Sequence, residues 1–226
     1  MPLQSIAVVG GGLAGCECAL HLAEAGLPVT LFEQKPGRRS PAHISDNLAE
    51  LVCSNSLRSD ESSSGVGMLK AELRALGSRF MAAADACRVP AGKALAVDRE
   101  AFAAMLTALV ASQPRIRRVE RNVCGLDDPV LAPFRTPEGT VVIAAGPLAS
   151  EELSASLAAA VGAEHCYFYD AIAPIVWTHS LDMSVVFRAS RYGQEQGDAP
   201  GEGDYLNCPM SREEYTAFYT ALLEAR

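Results

Sequence analysis

The chain has 226 residues, 49% of them hydrophobic and 20% charged, with a formal net charge of −8. That composition suits a globular protein long enough to bury its own core, and no uncharged apolar run approaches the length that crosses a bilayer, so no membrane association is expected. The negative balance argues against a protein that coats nucleic acid through its overall field, while a local basic patch stays compatible with RNA.

Met1 leads directly into the strand-like residues 5–9, SIAVV, with no basic lead and no small-residue cleavage site, so no export signal is expected. The seven cysteines (Cys16, Cys18, Cys53, Cys87, Cys124, Cys166 and Cys208) are odd in number and scattered. They form no C-x-x-C pair and no Cys/His ligand set, which points to a reducing cytoplasm and to no metal.

The first strand runs into Gly10, Gly11, Gly12, Leu13, Ala14 and Gly15, then into a helix with Ala14, Ala19, Leu22 and Ala23 near a 3.6-residue period, stopped by Gly26. A second strand is expected over 28–32, completing a βαβ unit whose parallel strands are covered on both faces. Residues 34–65, rich in Pro, Ser, Asp, Asn and Gly, read as a long loop, and such loops inside compact domains are usually functional. Helical patterning resumes with Leu69, Leu73, Leu76 and Phe80, and again with Phe102, Met105, Leu106 and Leu109 behind the capping residue Asp98. A strand over 115–123, a turn-rich connection over 126–138, an apolar strand over 140–144 and a helix over 151–161 follow. The basic run Arg115, Arg117, Arg118 and Arg121 reads as a solvated strand face. Beyond Tyr167 aromatic and β-branched residues dominate, and a Gly/Pro/acidic loop over 194–204 separates two strand-like pieces. Ser211 and Glu214 form a capping box for a last helix whose Tyr215, Phe218, Tyr219 and Leu222 share an apolar face.

Gly10, Gly12 and Gly15 stand between a strand and a helix, the context in which G-x-G-x-x-G binds a dinucleotide. The spacing implies a tight turn at Gly10, close approach of the pyrophosphate at Gly12 and close helix packing at Gly15. Glu33, about twenty residues on, is placed to accept hydrogen bonds from ribose hydroxyls. The stretch 140–147, TVVIAAGP, resembles the second fingerprint of flavoproteins of the glutathione-reductase type, which favours FAD and draws Ala145 and Gly146 to the cofactor.

The segments GGGLAG, PAH, AELVCSNSLRSD, VPAGKALAVDRE, AAGPL, YFYDAIAPIV, FRASRYG and DYLNCPMSREEY together resemble the folate- and FAD-dependent tRNA (uracil-5-)-methyltransferase family. The resemblance implies an α/β fold: an FAD-binding Rossmann-like domain of the glutathione-reductase type over 1–155, then the start of an α+β insertion domain over 156–226. It also implies C5-methylation of uridine 54 in the tRNA T-loop, with 5,10-methylenetetrahydrofolate as carbon donor and NAD(P)H as reductant. Cys53 matches a family cysteine implicated in catalysis. C5 of uracil becomes nucleophilic only after a nucleophile adds to C6, although a free cysteine is more often a small buried hydrophobe. A second family cysteine, in an F-E-G-C segment not found here, is the stronger candidate for that attack. His43, Asn55, Arg58, Arg188 and Arg191 are candidate contacts to flavin, tRNA phosphates or the folate tail, with surface solvation the alternative for each arginine. Cys16, Cys18 and Cys208 read as packing residues.

The resemblance covers roughly the N-terminal half of a typical member, so the C-terminal half, with the returning strand and helix that complete the flavin site, is absent. An open sheet edge, loose or no FAD binding and no methyl transfer by the chain alone are therefore expected. A non-catalytic nucleotide-binding remnant is the alternative. A modifier of wobble uridines fits ELVCSNS and SRYG less well, and a plain nicotinamide-dependent flavin oxidoreductase lacks its cysteine pair.

Overall fold

Continuous, largely apolar runs build the two central strands of a sheet whose middle is buried on both sides. In the computed structural model, which describes residues 6–162, 176–190 and 203–225, β1 (Ile6–Val9) and β2 (Val29–Glu33) are buried along their whole length. They are joined by α1 (Leu13–Glu24). The sheet is completed by β6 (Ile116–Glu120) and β7 (Thr140–Ile143), in the parallel order β6-β2-β1-β7. Ile6, Val8, Val29 and Leu31 face one core, packed with Cys16, Ala19 and Leu20 of α1 and with Phe102, Leu106 and Val110 of α4 (Arg99–Ser112). Ala7, Val9 and Phe32 face a second core, with Leu131, Phe134 and Leu153. The two-residue side-chain period of a strand places successive residues on opposite faces, so a parallel sheet covered on both sides needs apolar residues at both parities. This is the α/β Rossmann-like architecture expected from the sequence.

Two segments depart from expectation. The 34–65 region contains β3 (Ser56–Ser59), which joins β4 (Arg88–Val89) and β5 (Ala94–Val97) in a small antiparallel sheet of order β3-β5-β4. The pattern from Leu69 to Phe80 is two helices, α2 (Gly65–Ala75) and α3 (Arg79–Ala86), because Gly77 takes a left-handed φ of 76° between them. Leu69 and Leu76 are accordingly exposed, and Phe80 packs edge-on against Phe102 with ring centres 5.4 Å apart. The 126–138 connection carries a 3₁₀ turn, Pro129–Phe134, whose Leu131 and Phe134 seal the second core.

The chain divides into two units, Met1–Val89 with Ala94–Ala173, and Pro90–Lys93 with Pro174–Arg226. The first holds the parallel sheet, with α5 (Glu151–Val161) capped by Ser150. In the second, β8 (Phe187–Ala189) and β9 (Tyr205–Asn207) pair antiparallel, and the Tyr205 hydroxyl donates to the Ala91 carbonyl at 2.7 Å. α6 (Arg212–Glu224) carries the expected capping box, and Tyr215, Phe218, Tyr219 and Leu222 on it are exposed. Among the described residues no helix is long and apolar enough to cross a membrane, and no group of three or more His, Cys, Asp or Glu could hold a metal ion.

Candidate dinucleotide site

From β1 the chain passes through α1 to β2 on one side, while β7 lies on the other side of β1. Connections therefore leave the carboxyl ends of β1 and β7 in opposite directions, and a crevice opens at that switch point, where open α/β sheets bind ligands. A cavity of about 330 Å³ lies there, lined by Gly10, Gly11, Gly12, Leu13, Ala14, Glu33, Ala145 and Gly146, all anticipated from the sequence.

The glycines have separate reasons. Gly10 has φ +105°, and a Cβ on it would lie 2.6 Å from the Ala144 carbonyl oxygen, so this turn admits only glycine. A Cβ on Gly15 would come within 1.8 Å of the Gly10 carbonyl oxygen, and the close seat of α1 on the turn depends on its absence. Gly12 is the opposite case, with nothing within 4 Å of where a Cβ would stand. It caps α1 without a side-chain bond, and no acidic residue occupies the first turn of that helix. The first amides of α1 and its positive dipole end thus face open space, which is the arrangement that receives a pyrophosphate.

Gly11 N–H donates to Glu33 Oε2 at 2.7 Å, and Lys35 N–H donates to Glu33 Oε1 at 2.9 Å. Both oxygens retain a lone pair for ribose hydroxyls, and their charge would repel a 2′-phosphate. A Cβ on Gly11 would lie 2.7 Å from Glu33 Oε2, so the glycine also makes room for this carboxylate. Behind the turn, the Cys16 thiol donates to the Gly11 carbonyl at 3.3 Å. Burial, with the Glu33 charge, pushes that thiol up to about 12, which leaves Cys16 a packing residue and no nucleophile.

The other anticipated residues divide. His43 lies on the cavity wall, with Nδ1 2.8 Å from Ser40 Oγ. Cys53 is exposed and off the wall, one residue beyond the lining residue Val52. Asn55 is bound into the antiparallel sheet, its side chain donating to the Val97 carbonyl at 3.2 Å. Arg58 is exposed, with φ 66° and its N–H on Ser56 Oγ at 3.2 Å. Arg188 is exposed on β8 in the second unit, and Arg191 lies outside the described residues.

Sequence reasoning missed Glu50, Val52, Arg121 and Asn122 on the wall. Of the run read as a solvated strand face, Arg115, Arg117 and Arg121 are exposed as expected, and only Arg118 departs from it; what the reading did not include is that Arg121 also borders the cavity. Arg118 is half-buried and donates to the Lys35 carbonyl at 3.3 Å, while Arg121 follows β6 at the cavity and pairs with Asp128 at 3.7 Å. The available signal was position, since residues just past the carboxyl end of a parallel strand face the crevice.

Among known proteins, the family described as "GIDA: Glucose inhibited division protein A" matches residues 5–226. Proteins named methylenetetrahydrofolate--tRNA-(uracil-5-)-methyltransferase TrmFO are similar along nearly the whole chain. The one from Nitratidesulfovibrio vulgaris (strain Hildenborough) is 61% identical over 99% of this chain and 45% of its own length. Those from Oleidesulfovibrio alaskensis and Lawsonia intracellularis are 61% and 55% identical, over 98% and 99% of this chain and 48% of their own length in both cases. The chain spans about half the length of these curated relatives. With its whole described extent matched, this chain belongs to the glucose inhibited division protein A family.

Proposed function

We propose that the cavity holds the ADP half of FAD and that the protein serves folate-dependent C5-methylation of uridine 54 in the T-loop of tRNA, with 5,10-methylenetetrahydrofolate as carbon donor and NAD(P)H as reductant, in the cytoplasm. The observation that supports this reading is the 61% identity, over 99% of the chain, with a protein named for folate-dependent methylation of tRNA uracil.

The residues present fit the cofactor. The uncapped first turn of α1 and the space at Gly12 suit a pyrophosphate, and Glu33 stands one strand away to take the ribose. FAD, when bound, supplies the redox chemistry that turns a methylene into a methyl group. Gly12, Leu13 and Ala14 donate backbone N–H groups to the phosphates, Glu33 orients the ribose, and His43 contacts the cofactor from the 34–52 segment. Cys53, exposed beside Val52 where a large substrate can reach it, takes a direct part in the chemistry, the attack on uracil C6 being open between it and the second family cysteine. Addition of a thiolate to C6 is the step that would activate uracil at C5. Arg58 and Arg188, both exposed, meet tRNA phosphates or the folate tail.

The test supplies the flavin-loaded protein at the full length of its relatives, of which this chain spans about half, with unmodified tRNA transcript, NAD(P)H and methylenetetrahydrofolate labelled in its methylene carbon. Label in 5-methyluridine at position 54 is expected. Label arriving instead from S-adenosylmethionine, or none reaching tRNA with FAD bound, overturns the reading.

A further inference from the structure

We propose that Glu50 is a positioning residue for this site, the peg on which the segment 43–52 hangs against the cavity; the inference rests on reading that cavity as a dinucleotide site. The two oxygens of Glu50 work in different directions. Oε1 accepts the N–H groups of Ile44 at 2.9 Å and Ser45 at 3.1 Å, while Oε2 pairs with Lys35 Nζ at 3.1 Å. Both side chains of that pair are buried, at 3% and 7% exposure. Lys35 Nζ also donates to the Asn47 carbonyl, and the Lys35 N–H holds Glu33 Oε1. One buried charge pair thus ties the carboxylate that faces the ribose to the loop that carries His43 and Val52 on the cavity wall.

The other ties of this part are local or exposed, namely the Arg39–Asp46 pair, the Asn47 N–H on Ser45 Oγ and the His43 N–H on the Ser40 carbonyl, while the buried Leu48, Ala49 and Leu51 anchor the far end. Residues 34–55 contain no helix or strand, and Ile44 at the tip is 81% exposed, so apolar burial does not anchor the tip. Leu48 N–H reaches Thr107 Oγ1 at 2.9 Å and Ala49 N–H reaches the Gly11 carbonyl at 2.8 Å, which secure the far end of the segment. A buried ion pair is a poor device for stability alone, because desolvation of two charges offsets most of their attraction. Its directional hydrogen bonds do something an apolar contact cannot, which is to set where two particular amides lie.

The experiment uses the 226-residue chain, with ADP as the probe, in wild type, Glu50→Ala, Glu50→Gln and Lys35→Met/Glu50→Gln. In Glu50→Ala the Ile44 and Ser45 amides should exchange with deuterium roughly tenfold faster, while β1 and β2 amides keep their protection. ADP affinity should fall roughly tenfold, as expected for loss of charged hydrogen bonds. In Glu50→Gln the side-chain carbonyl still accepts both amides but Lys35 is left unpaired, so removing that charge in the double variant should return ADP affinity to within about threefold of wild type. Wild-type exchange and affinity in Glu50→Ala would overturn the proposal. So would loss of β1 and β2 protection in Glu50→Ala and the double variant alike, which would make Glu50 a general fold residue. Wild-type chain that binds no ADP would instead overturn the dinucleotide reading and this inference with it.

Discussion

Exchanging two glycines of one turn for alanine separates what the fold needs from what the ligand needs. At Gly15 the new Cβ would lie 1.8 Å from the Gly10 carbonyl oxygen, where real Cβ contacts essentially never come under 3.0 Å. The obstacle is backbone of a turn that itself packs on Ala144, so α1 must lift from the sheet. Overpacking typically costs about 1–3 kcal/mol, and a backbone clash belongs at or above the upper end. For a chain of this size about 3 kcal/mol lowers the melting temperature by roughly 6–12 °C. At Gly12 the backbone has φ −74° and ψ −166°, open to any L-residue, and nothing stands within 4 Å. Alanine is a poorer helix cap than glycine, but it stiffens the unfolded chain by about 0.4–1 kcal/mol, so the net change in stability should stay under about 0.5 kcal/mol. Its methyl group occupies the space a phosphate oxygen needs to reach the α1 amides. Losing one charge-assisted hydrogen bond, about 1.5–3 kcal/mol, weakens ADP binding tenfold or more. Thermal melts by circular dichroism and ADP titration by calorimetry read both effects. A Gly12→Ala variant that binds ADP as wild type does, or a Gly15→Ala variant that melts at the wild-type temperature, would refute the assignment of roles.

Asp128 accepts the N–H groups of Cys124 and Val130, both at 3.0 Å, and the Cys124 bond, against opposing burial and with help from Val130 and Arg121, holds its carboxyl below the usual carboxylate range. A depressed folded pKa means that the stabilisation is fully present above the unfolded value of about 3.9 and disappears as pH falls through the folded one. Asp128→Asn should therefore lower the urea midpoint at pH 7 by about 1–3 kcal/mol equivalent and less at pH 3, whereas a gap independent of pH would contradict the assignment. Cys53→Ser should leave stability within about 0.5 kcal/mol, since the side chain is exposed, while sharply lowering 5-methyluridine formation by the protein at its relatives' full length; wild-type methylation would remove Cys53 from the chemistry. Phe102 is fully buried and edge-on to Phe80, so Phe102→Ala should cost about 3–5 kcal/mol by denaturant titration, and a loss below about 1 kcal/mol would mean that this core is not closed as described.

What the sequence made legible was local. The glycine turn follows from backbone sterics at Gly10 and Gly15, and Glu33 from its place at the end of a strand. Asp98 caps α4 through the N–H groups of Glu100 and Ala101, and Ser211 caps α6 with Glu214, because side-chain capping is settled within four residues. The apolar period from Leu69 to Phe80 misled because it runs across Gly77, where the backbone reverses sign of φ and the following helix turns its Phe80 to a different neighbour. β3 was hidden because its residues Ser56, Leu57, Arg58 and Ser59 are poor strand formers, held by pairing with β5 nearly forty residues away. Glu50 and Arg121 were invisible as wall residues for a related reason: Lys35 and Glu50 meet across an irregular loop, and Arg121 faces the cavity only once β6 is seated beside β2.

The most direct test of the account is a competitive titration of the 226-residue chain with FAD and ADP, repeated on Gly12→Ala. Saturable binding of ADP, weakened tenfold or more by Gly12→Ala and competed by FAD no more tightly than ADP itself binds, is what the account predicts for an ADP-half site built on the first turn of α1. No binding of ADP, or ADP binding that Gly12→Ala leaves unchanged, would contradict it.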